Sequence, residues 1–272
     1  MKYYTKNTPK WSDEEIIEEI KVFNQIYKER PIIENLHGMR FPHMFATYFI
    51  LKKIKPDFVI ESGIYKGQST WLIEKTLPNA KILSIDLDLS QRIYISKKAT
   101  YSDLDFKYQN FSNIPKNTLV FFDDHVNHYQ RLIQSKFFNI KNIIFEDNYD
   151  LNKGDFYSLK HIQHNSGYNH KYTKLSLVKT FYVFLKEILK KLFSDNYQIN
   201  LDKILFRLRD YKASKNDFDN INKNIEIYYE FPPLIDNGDI SKKPLMNEID
   251  LNLKVTREDL KGYNNLTYIK LH

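Results

Sequence analysis

Between residues 57 and 146 the sequence alternates short apolar segments with longer amphipathic ones. The apolar segments have the length and composition of buried strands, and the amphipathic ones have helical periodicity. Strands that alternate with helices at this spacing form a parallel sheet with right-handed crossovers. The pattern therefore predicts a doubly wound, Rossmann-like α/β fold, with a mostly parallel sheet of about seven strands and helices on both faces. The predicted strands span residues 57–61, 81–86, 106–111, 118–122, 142–146, 225–231 and 266–271.

Two helices are predicted ahead of the alternating region. Residues 12–29 and 41–54 carry apolar side chains at helical spacing, and Ser12 followed by Glu15 is a capping-box signature. Pro56 ends the second of these helices. The later predicted helices span residues 68–77, 128–138, 175–193 and 201–211.

The domain organisation follows from these elements. Residues 1–55 are predicted to form N-terminal helices that pack on the core, and residues 56–272 are predicted to form the α/β domain. The alternation breaks after Asp150, so a helical insertion is predicted at about residues 151–222, before the last two strands. Residues 236–263, between those two strands, are polar and are predicted to contain loops.

The chain contains no cysteine, which limits its chemistry. Disulfides, thiolate zinc sites and a cysteine nucleophile are excluded, so any metal must be held by oxygen or imidazole ligands. No apolar run approaches the length that spans a bilayer, and the polar N-terminus has no apolar signal segment behind it. These features fit a soluble protein in a reducing cytoplasm, which is the expected location.

The positive charge is concentrated in one segment. The whole chain has a net charge of +7, and residues 171–215 carry eleven basic and four acidic residues, which is also +7. Such a segment attracts the phosphates of nucleic acids, substrates or lipids, although a solvated lysine-rich helix face has the same composition. No specific nucleic acid and no transmembrane segment is expected, and a small-molecule substrate that bears a phosphate or a glycosidic group is a candidate partner.

A short loop between the first strand and the following helix contains two glycines, Gly63 and Gly67. Glycine allows the unusual dihedrals and the close backbone approach that a loop beneath a ligand needs. Ser69 or Thr70 is expected to help cap the helix. Asp86 ends the second strand about twenty positions later, where a carboxylate suits the two hydroxyls of a ribose.

The spacing of the glycines favours one nucleoside cofactor over another. A dinucleotide fingerprint needs a third glycine, and it places a pyrophosphate at the strand end, where Glu61 would repel it. The same carboxylate can take the positively charged amino group of a methionine moiety. A tight strand-to-helix turn without any ligand would carry the same glycines.

The pattern Glu-Ser-Gly-x-x-x-Gly-x-Ser resembles the first motif of class I methyltransferases that use S-adenosylmethionine. It is most similar to the branch with macrolide-sugar and rhamnosyl O-methyltransferases and cephalosporin-hydroxylase-like proteins. The resemblance covers residues 54–148 and implies a class I methyltransferase fold with that cofactor. The cofactor-binding residues implied are Glu61, Gly63, Tyr65, Gly67, Ser69, Asp86 and Asp123.

Acidic residues stand at the ends of two neighbouring strands. They are Asp123 and Asp124, with His125, after one strand and Glu146 and Asp147, with Asn148, after the next. The carboxyl ends of parallel strands meet at one edge, so Asp124, Asp147 and Asn148 are predicted to converge on a hard cation. Oxygen ligands favour magnesium, manganese or calcium, and magnesium is the expected ion. Strand-end carboxylates that cap helices or bind loop amides are the alternative.

The same residues are similar to the metal sites of two groups of O-methyltransferases. Asp124-His125 and Asp147-Asn148 resemble the Asp-His and Asp-Asn pairs of catechol-type enzymes. Glu146-Asp147 resembles instead the Glu-Asp pair of the macrolide-sugar branch. Either resemblance implies a metal that lowers the pKa of a substrate hydroxyl. The metal ligands implied are Asp124, Asp147, Asn148 and Glu146.

A base must take the proton of that hydroxyl. The catechol-type base is a lysine three places after the metal aspartate, and Asn127 stands there in this sequence. His128 is the preferred catalytic base and His125 the second candidate, because a histidine near its neutral pKa suits proton abstraction at cellular pH. A water-exposed histidine at the start of a helix is the alternative for His128.

Three further histidines and one helix are predicted to have structural roles and not catalytic ones. His161, His164 and His170 are predicted to lie in a polar surface loop rather than at a metal. The amphipathic helix 175–193 is predicted to be a lid or a dimer element, although a membrane surface would also suit it. A homo-oligomer is therefore a candidate assembly.

Three functional hypotheses result. The first is an S-adenosylmethionine-dependent O-methyltransferase, assisted by a divalent cation, that acts on a hydroxyl of a sugar, a saccharide or a similar polar small molecule. The second is a non-catalytic α/β protein that binds nucleotides or polyanions through residues 171–215. The third is a nicotinamide-dependent oxidoreductase, for which Tyr182 and Lys186 have the Tyr-x-x-x-Lys spacing.

Overall fold

A seven-stranded sheet forms the centre of the protein in this computed structural model. Its strands are β1 (Phe58–Ser62), β2 (Lys81–Ile85), β3 (Ala99–Ser102), β4 (Thr118–Phe122), β5 (Asn142–Phe145), β6 (Ile225–Glu230) and β7 (Thr267–Leu271). They lie in the order β3-β2-β1-β4-β5-β7-β6, with β1 to β5 parallel and β7 antiparallel to both of its neighbours. The predicted α/β fold, with a mostly parallel sheet of seven strands, is confirmed.

The structure describes residues 6–151, 153–168, 174–193, 215–235, 243–246, 255, 259–260, 263 and 265–272. The helices of these residues are α1 (Asp13–Tyr27), α2 (Phe41–Ile54), α3 (Gln68–Thr76), α4 (His128–Phe137), α5 (Leu159–Gln163), α6 (Lys174–Phe193) and α7 (Lys215–Asn224). Two short 3₁₀ turns lie at Leu89–Gln91 and Phe106–Tyr108. The predicted helix 201–211, His170 and most of residues 236–263 lie outside the described residues.

Helix α1 begins with the predicted capping box. The Ser12 hydroxyl accepts the amide N–H of Glu15 at 3.3 Å, and the Glu15 carboxylate accepts the amide N–H of Ser12 at 2.9 Å. These two bonds satisfy amides that have no partner inside the helix.

Helix α2 is buried along most of its length, with residues 41 to 51 all inaccessible to solvent. It packs beneath α1 and beside α3 on one face of the sheet. The rings of Phe45 and Phe49 lie 5.9 and 5.8 Å from the ring of Phe231, which directly follows β6. A helix that is apolar on all sides belongs in the core, and this packing fixes the position of its first turn at the edge of the sheet.

The strands send alternate side chains to two separate core layers. Val59 and Phe121 pack in the layer that contains α1, α2 and α3. Ile60 and Phe122 pack in the other layer, with residues of α4, α5 and α7. Strands buried on both faces are the mark of a doubly wound sheet, and they explain why the strands appear as continuous apolar segments in the sequence.

The third strand was predicted in the wrong place. Residues 106–111 were expected to form it, but β3 lies earlier and pairs with β2 from Ile82–Ala99 to Ile85–Ser102. Phe106 and Phe111 are buried because their rings pack on other aromatic rings of the core, with Phe106 5.0 Å from Phe122. The true edge strand is short and half-exposed, so it has no apolar signature.

Helices α5 and α6 and most of α7 lie within residues 151–222, together with non-helical segments at 153–158 and 164–168, and all three helices come before β6 in the chain. Among the described residues, no helix is both long enough and apolar enough to cross a bilayer.

Candidate active site

The carboxyl ends of four strands are joined into one continuous edge by backbone hydrogen bonds. The amide of Gly63, after β1, donates to the carbonyl of Ile85 in β2 at 2.9 Å. The amide of Asp123, after β4, donates to Ser62 in β1 at 2.8 Å, and that of Glu146, after β5, donates to Phe122 in β4 at 3.0 Å. The glycine loop and both acidic segments therefore share one edge of the sheet, as the parallel arrangement requires.

The loop between β1 and α3 has a strained backbone. The φ angles of Gly63, Tyr65 and Gly67 are +99°, +48° and +92°. A β-carbon on Gly63 would overlap the carbonyl of Asp123, and one on Gly67 would overlap the carbonyl of Tyr94. The glycines are thus needed because the protein's own backbone passes close by, and not only because a ligand would approach.

Asp86, at the end of β2, holds this loop in place. Its Oδ2 accepts the amides of Ile64 and Tyr65 at 2.9 and 3.0 Å, and its Oδ1 accepts the amide of Asp88 at 2.9 Å. A carboxylate offers about four acceptor positions, so three are occupied by the backbone. The ribose contact predicted for Asp86 would have to share this carboxylate with the loop.

Glu61 lies beneath the loop and is fully buried. Its Oε2 accepts hydrogen bonds from the hydroxyls of Thr70 at 2.6 Å and Ser84 at 2.5 Å. Burial raises the pKa of Glu61, and the hydroxyls of Ser69, Ser84 and Thr70 oppose that rise. Glu61 therefore joins α3 to β2 through Oε2, while its Oε1 is buried and has no hydrogen-bond partner among the described residues.

The capping role expected of Ser69 or Thr70 is wrong. Gly67 is the N-cap of α3 and makes no side-chain capping bond. Ser69 and Thr70 lie inside the first turn, where both are buried. Their hydroxyls face Glu61 because that carboxylate is a buried acceptor that needs donors from the protein.

Asp124 is not positioned as a metal ligand, contrary to the prediction. Its Oδ2 accepts the Ser62 hydroxyl at 2.6 Å and lies 2.8 Å from Nη2 of Arg131. Its Oδ1 accepts the amide of Val126 at 3.2 Å. Arg131 is itself buried and makes a bidentate bond to Asp105, at 2.9 and 2.8 Å. Asp124 therefore compensates a buried guanidinium, and its neighbour Asp123 faces the site instead.

Asn148 is also turned away from the predicted metal site. Its Nδ2 donates to the Tyr228 hydroxyl at 2.9 Å, to Thr267 at 3.1 Å and to Glu230 at 3.3 Å. Its Oδ1 accepts the amide of Lys160 at 3.0 Å. Every polar atom of this side chain is engaged beneath β6 and β7, so the Asp-Asn pair of the catechol-type resemblance is not assembled.

Five side chains do converge at the edge of the sheet. They are Asp123, His125, Glu146, Asp147 and His43. Ligand atoms of Asp123, His125 and Asp147 lie within 4.8 Å of one another, and so do those of His43, Glu146 and Asp147. Asp147 belongs to both groups, so the acidic segments after β4 and β5 lie together. Glu146 and Asp147 are two of the predicted ligands, whereas Asp123 lies where Asp124 is predicted and Asn148 is absent from both groups.

The carboxylates of this cluster are poorly compensated. Burial raises the pKa of Asp123 well above its usual range, and the charges of Glu146 and Asp147 add to the rise. Burial likewise raises the pKa of Glu146, with further contributions from the charge and hydrogen bond of Asp147. Tyr149 donates to Oδ2 of Asp147 at 2.5 Å, whereas Oδ1 is buried and has no hydrogen-bond partner among the described residues.

His125 lies between carboxylates. Its Nδ1 is 2.9 and 3.0 Å from the two oxygens of Asp155, and its Nε2 is 3.9 Å from Oδ1 of Asp123. Burial lowers the pKa of His125, but the hydrogen bond and charge of Asp155 and the charges of Asp123 and Asp147 raise it to about 10. His125 is therefore an imidazolium at neutral pH and already carries the proton that a base would accept.

His128 is buried, unlike the exposed helix-start histidine considered as its alternative. Its ring lies 4.0 Å from the ring of Phe145 and 4.7 Å from that of Phe156. Burial lowers its pKa well below the usual range, and the positive charges of His161, His125 and Arg131 lower it further. Nδ1 of His128 is buried and has no hydrogen-bond partner among the described residues. His128 is therefore neutral at physiological pH, and the same burial makes it a weaker base than a free imidazole.

The burial of the side chains decides how His161, His164 and the Tyr-x-x-x-Lys spacing are interpreted. His161 is not in a surface loop: it is buried in α5, where its Nδ1 lies 2.8 Å from the Ser158 hydroxyl. His164 is exposed. Tyr182 and Lys186 both lie exposed on α6, so the Tyr-x-x-x-Lys spacing falls on a solvent-facing surface.

His43 is the functional candidate that the sequence did not single out. It lies in the first turn of α2, is 4% exposed, and places Nδ1 against Oε1 of Glu146. Its ring packs 5.0 Å from that of Tyr263. Burial lowers the pKa of His43, and the charges of Asp147 and Asp123 oppose that effect. A single histidine in the mainly apolar first part of α2 was the available signal.

The fold has counterparts among solved structures, at low sequence identity. No protein-family model and no curated protein matches the sequence. The O-methyltransferase TomG from Streptomyces achromogenes, with S-adenosylmethionine, is 10% identical, over 96% of this chain and 91% of that one, with a TM-score of 0.43. An O-methyltransferase from Bacillus cereus, with S-adenosylhomocysteine, is 16% identical over 52% of this chain and 67% of that one, with a TM-score of 0.33. CmcI with magnesium and S-adenosylmethionine is 16% identical over 53% and 69%, with a TM-score of 0.33.

Proposed function

We propose that the chain is an S-adenosylmethionine-dependent O-methyltransferase, assisted by a divalent cation that Asp123, Glu146 and Asp147 hold. One observation carries the proposal: the backbone of Gly63 packs directly against the carbonyl of Asp123. The proposed cofactor loop and the carboxylate cluster are therefore in direct contact. Transfer of a methyl group to a hydroxyl requires that the methyl donor and the hydroxyl are bound next to each other.

The loop after β1 is the proposed cofactor site. Gly63, Tyr65 and Gly67 would line it, with Ser69 at the helix start and Asp86 at the ribose. S-adenosylmethionine supplies a methyl group on a sulfonium, which an oxygen nucleophile can attack. The bonds from Asp86 to the loop support this assignment, because they hold the loop in shape without a ligand. Glu61 would act from below as a brace, and Asp123 would face both ligands.

The carboxylate cluster fits a divalent cation. It offers oxygen donors from three side chains, and Oδ1 of Asp147 is a buried acceptor for which the described residues provide no donor. Carboxylates that crowd together in a buried site are stabilised by positive charge. The proposed cation would lower the pKa of a bound hydroxyl. Magnesium is the ion that an all-oxygen set favours.

His128 is the proposed base. The acceptor O–H bond must break, with its proton passing to a base. A new C–O bond forms as the C–S bond breaks, and the electron pair of that bond stays on sulfur. His128 is neutral and can accept the proton, whereas His125 is held protonated by Asp155. The ring of Phe156 contacts both histidines, at 4.7 Å from His128 and 5.5 Å from His125.

The proposed acceptor is a hydroxyl of a sugar, a saccharide or a similar polar small molecule. The support for this class is the likeness of Glu146-Asp147 to the Glu-Asp pair of sugar O-methyltransferases, together with the failure of the Asp-Asn pair to assemble. Methyl transfer from labelled S-adenosylmethionine should be measured against free and phosphorylated sugars, with and without magnesium. Transfer that requires neither a metal nor a hydroxyl would contradict the proposal.

Cofactor binding is the first experiment. Calorimetry with S-adenosylhomocysteine should show saturable binding to the wild-type protein. Absence of binding at about 1 mM ligand, where affinities down to roughly 4 kcal/mol are detected, would reject the methyltransferase proposal altogether. The assignment of the base is tested separately: His128→Gln should lower kcat by about a hundredfold or more, and His125→Gln should lower it less.

A further inference from the structure

We infer that His43 completes the cation site as an imidazole ligand and gives it a preference for a first-row transition-metal dication over magnesium. The inference rests on the cation site of the proposed function, and it changes the expected ion.

The position of His43 is fixed by the core and not by the site. Helix α2 is held by Phe45 and Phe49 against Phe231, and the residues around His43 on the same helix are buried. The imidazole is therefore presented at the end of β5 by a rigid element. Ligands held by rigid elements are those that can impose a coordination geometry on an ion.

The distances suit coordination. One ligand atom each from His43, Glu146 and Asp147 lies within 4.8 Å of the others. Nitrogen and oxygen ligands at about 2.0–2.2 Å from a common zinc-like ion lie at most about 4.4 Å apart. A small side-chain rotation would bring the three atoms onto one ion, and Asp147 connects them to Asp123.

The simpler reading is that His43 only donates a hydrogen bond to Glu146 and orients it. That reading leaves Oδ1 of Asp147 buried and without a described donor beside the imidazole. Among the described residues, Oδ1 of Asp147 is an unsatisfied acceptor beside the imidazole of His43 and the carboxylate of Glu146. A cation bound among these three side chains would supply the partner that this oxygen lacks. Imidazole nitrogen favours iron, cobalt, nickel, copper and zinc, whereas magnesium prefers oxygen alone.

The test compares cobalt with magnesium by calorimetry on metal-free protein, without cofactor or acceptor. In His43→Gln the nitrogen is replaced by an amide, and the ratio of cobalt to magnesium affinity should fall about tenfold or more. Magnesium affinity should change little. His161→Gln, a buried histidine outside the cluster, should leave the ratio unchanged. An unchanged ratio in His43→Gln, or an equal loss for both ions, would overturn the inference.

A second measurement needs no variant at this position. Wild-type protein labelled with ¹⁵N-histidine and loaded with Mn²⁺ should show histidine nitrogen coupling in pulsed electron paramagnetic resonance. The coupling should persist in His125→Gln, which removes the other histidine of the cluster. Its loss there, or its absence in the wild type, would overturn the assignment of His43. Calorimetry with S-adenosylhomocysteine on the same samples tests the proposed function independently, so the failure of either is visible alone.

Discussion

The two halves of the sheet edge treat their carboxylates in opposite ways. In the loop half, Glu61 accepts hydroxyls and Asp86 accepts backbone amides, all neutral donors supplied by the protein. In the cluster half, Asp123, Glu146 and Asp147 lie close to one another, and burial raises the pKa of the first two. In the loop half the protein supplies most of the donors, although Oε1 of Glu61 is buried and has no hydrogen-bond partner among the described residues. Among the described residues of the cluster half, three carboxylates share the single positive charge of His125. A ligand should therefore be recognised by shape in the first half and by charge in the second.

The largest expected effect is on turnover, from the cluster half alone. Asp147→Ala removes the residue shared by both groups of ligands. We expect metal-dependent methyl transfer to fall about a thousandfold, or roughly 4 kcal/mol of barrier, while the affinity for S-adenosylhomocysteine stays within a fewfold. Asp103→Asn, at an exposed aspartate away from the site, is the matched control. Unchanged turnover in Asp147→Ala would remove the metal from the mechanism.

The next largest effect should be on folding, and it separates two adjacent aspartates. Asp124→Asn breaks the buried pair with Arg131, so the free energy of unfolding should fall by about 3 kcal/mol. Cation affinity of the folded protein should not change. Asp123→Asn should do the reverse, with weaker cation binding and little loss of stability. Urea unfolding and calorimetry measure both quantities. Loss of cation binding in Asp124→Asn would restore Asp124 as a ligand.

Cation binding should stabilise the whole protein. At a concentration of one hundred times Kd, a ligand that binds only the folded state adds about 2.7 kcal/mol. The melting temperature of the metal-free protein should rise accordingly when the cation is added. In Asp123→Asn the rise should be much smaller. An equal rise in that variant would place the cation elsewhere and would break the contrast between the halves.

The smallest expected effect belongs to the loop half. Gly63→Ala forces a β-carbon against the carbonyl of Asp123 at a φ of +99°. We expect a loss of about 2 kcal/mol of stability and weaker binding of S-adenosylhomocysteine, with cation affinity reduced only to the extent that Asp123 moves. Gly38→Ala is the control, because it lies outside the loop, has no positive φ, and brings its β-carbon against the Asn35 side chain and not against the backbone. Unaltered cofactor binding in Gly63→Ala would contradict a cofactor loop.

The fold and the edge of the sheet could be predicted from periodicity, but the choice among neighbouring polar residues could not. Asp123 and Asp124 both follow the same apolar strand, and which one faces the site depends on the turn, where His125 has a φ of +54°. Asp124 also forms an ion pair with Arg131 of α4. Arg131 follows Asp124 closely in the chain, but helical periodicity does not report which neighbouring side chains form a pair.

His43 and β3 escaped prediction for a related reason. The sequence of α2 indicates that the helix is buried, but not what lies beyond its first turn. Residues 106–111 are apolar like a strand, yet their apolar side chains serve ring packing in the core. Periodicity predicts which residues are buried, but only the tertiary structure shows which other residues they pack against.

The backbone bonds that join the strand ends have a thermodynamic consequence. Gly63, Asp123 and Glu146 are linked by hydrogen bonds between neighbouring strands. A nucleoside and an ion would therefore both bind at the same rigid edge of the sheet. If the nucleoside changes the affinity for the ion by some factor, the ion must change the affinity for the nucleoside by the same factor. If that factor is greater than one, a shortage of either ligand weakens the binding of the other.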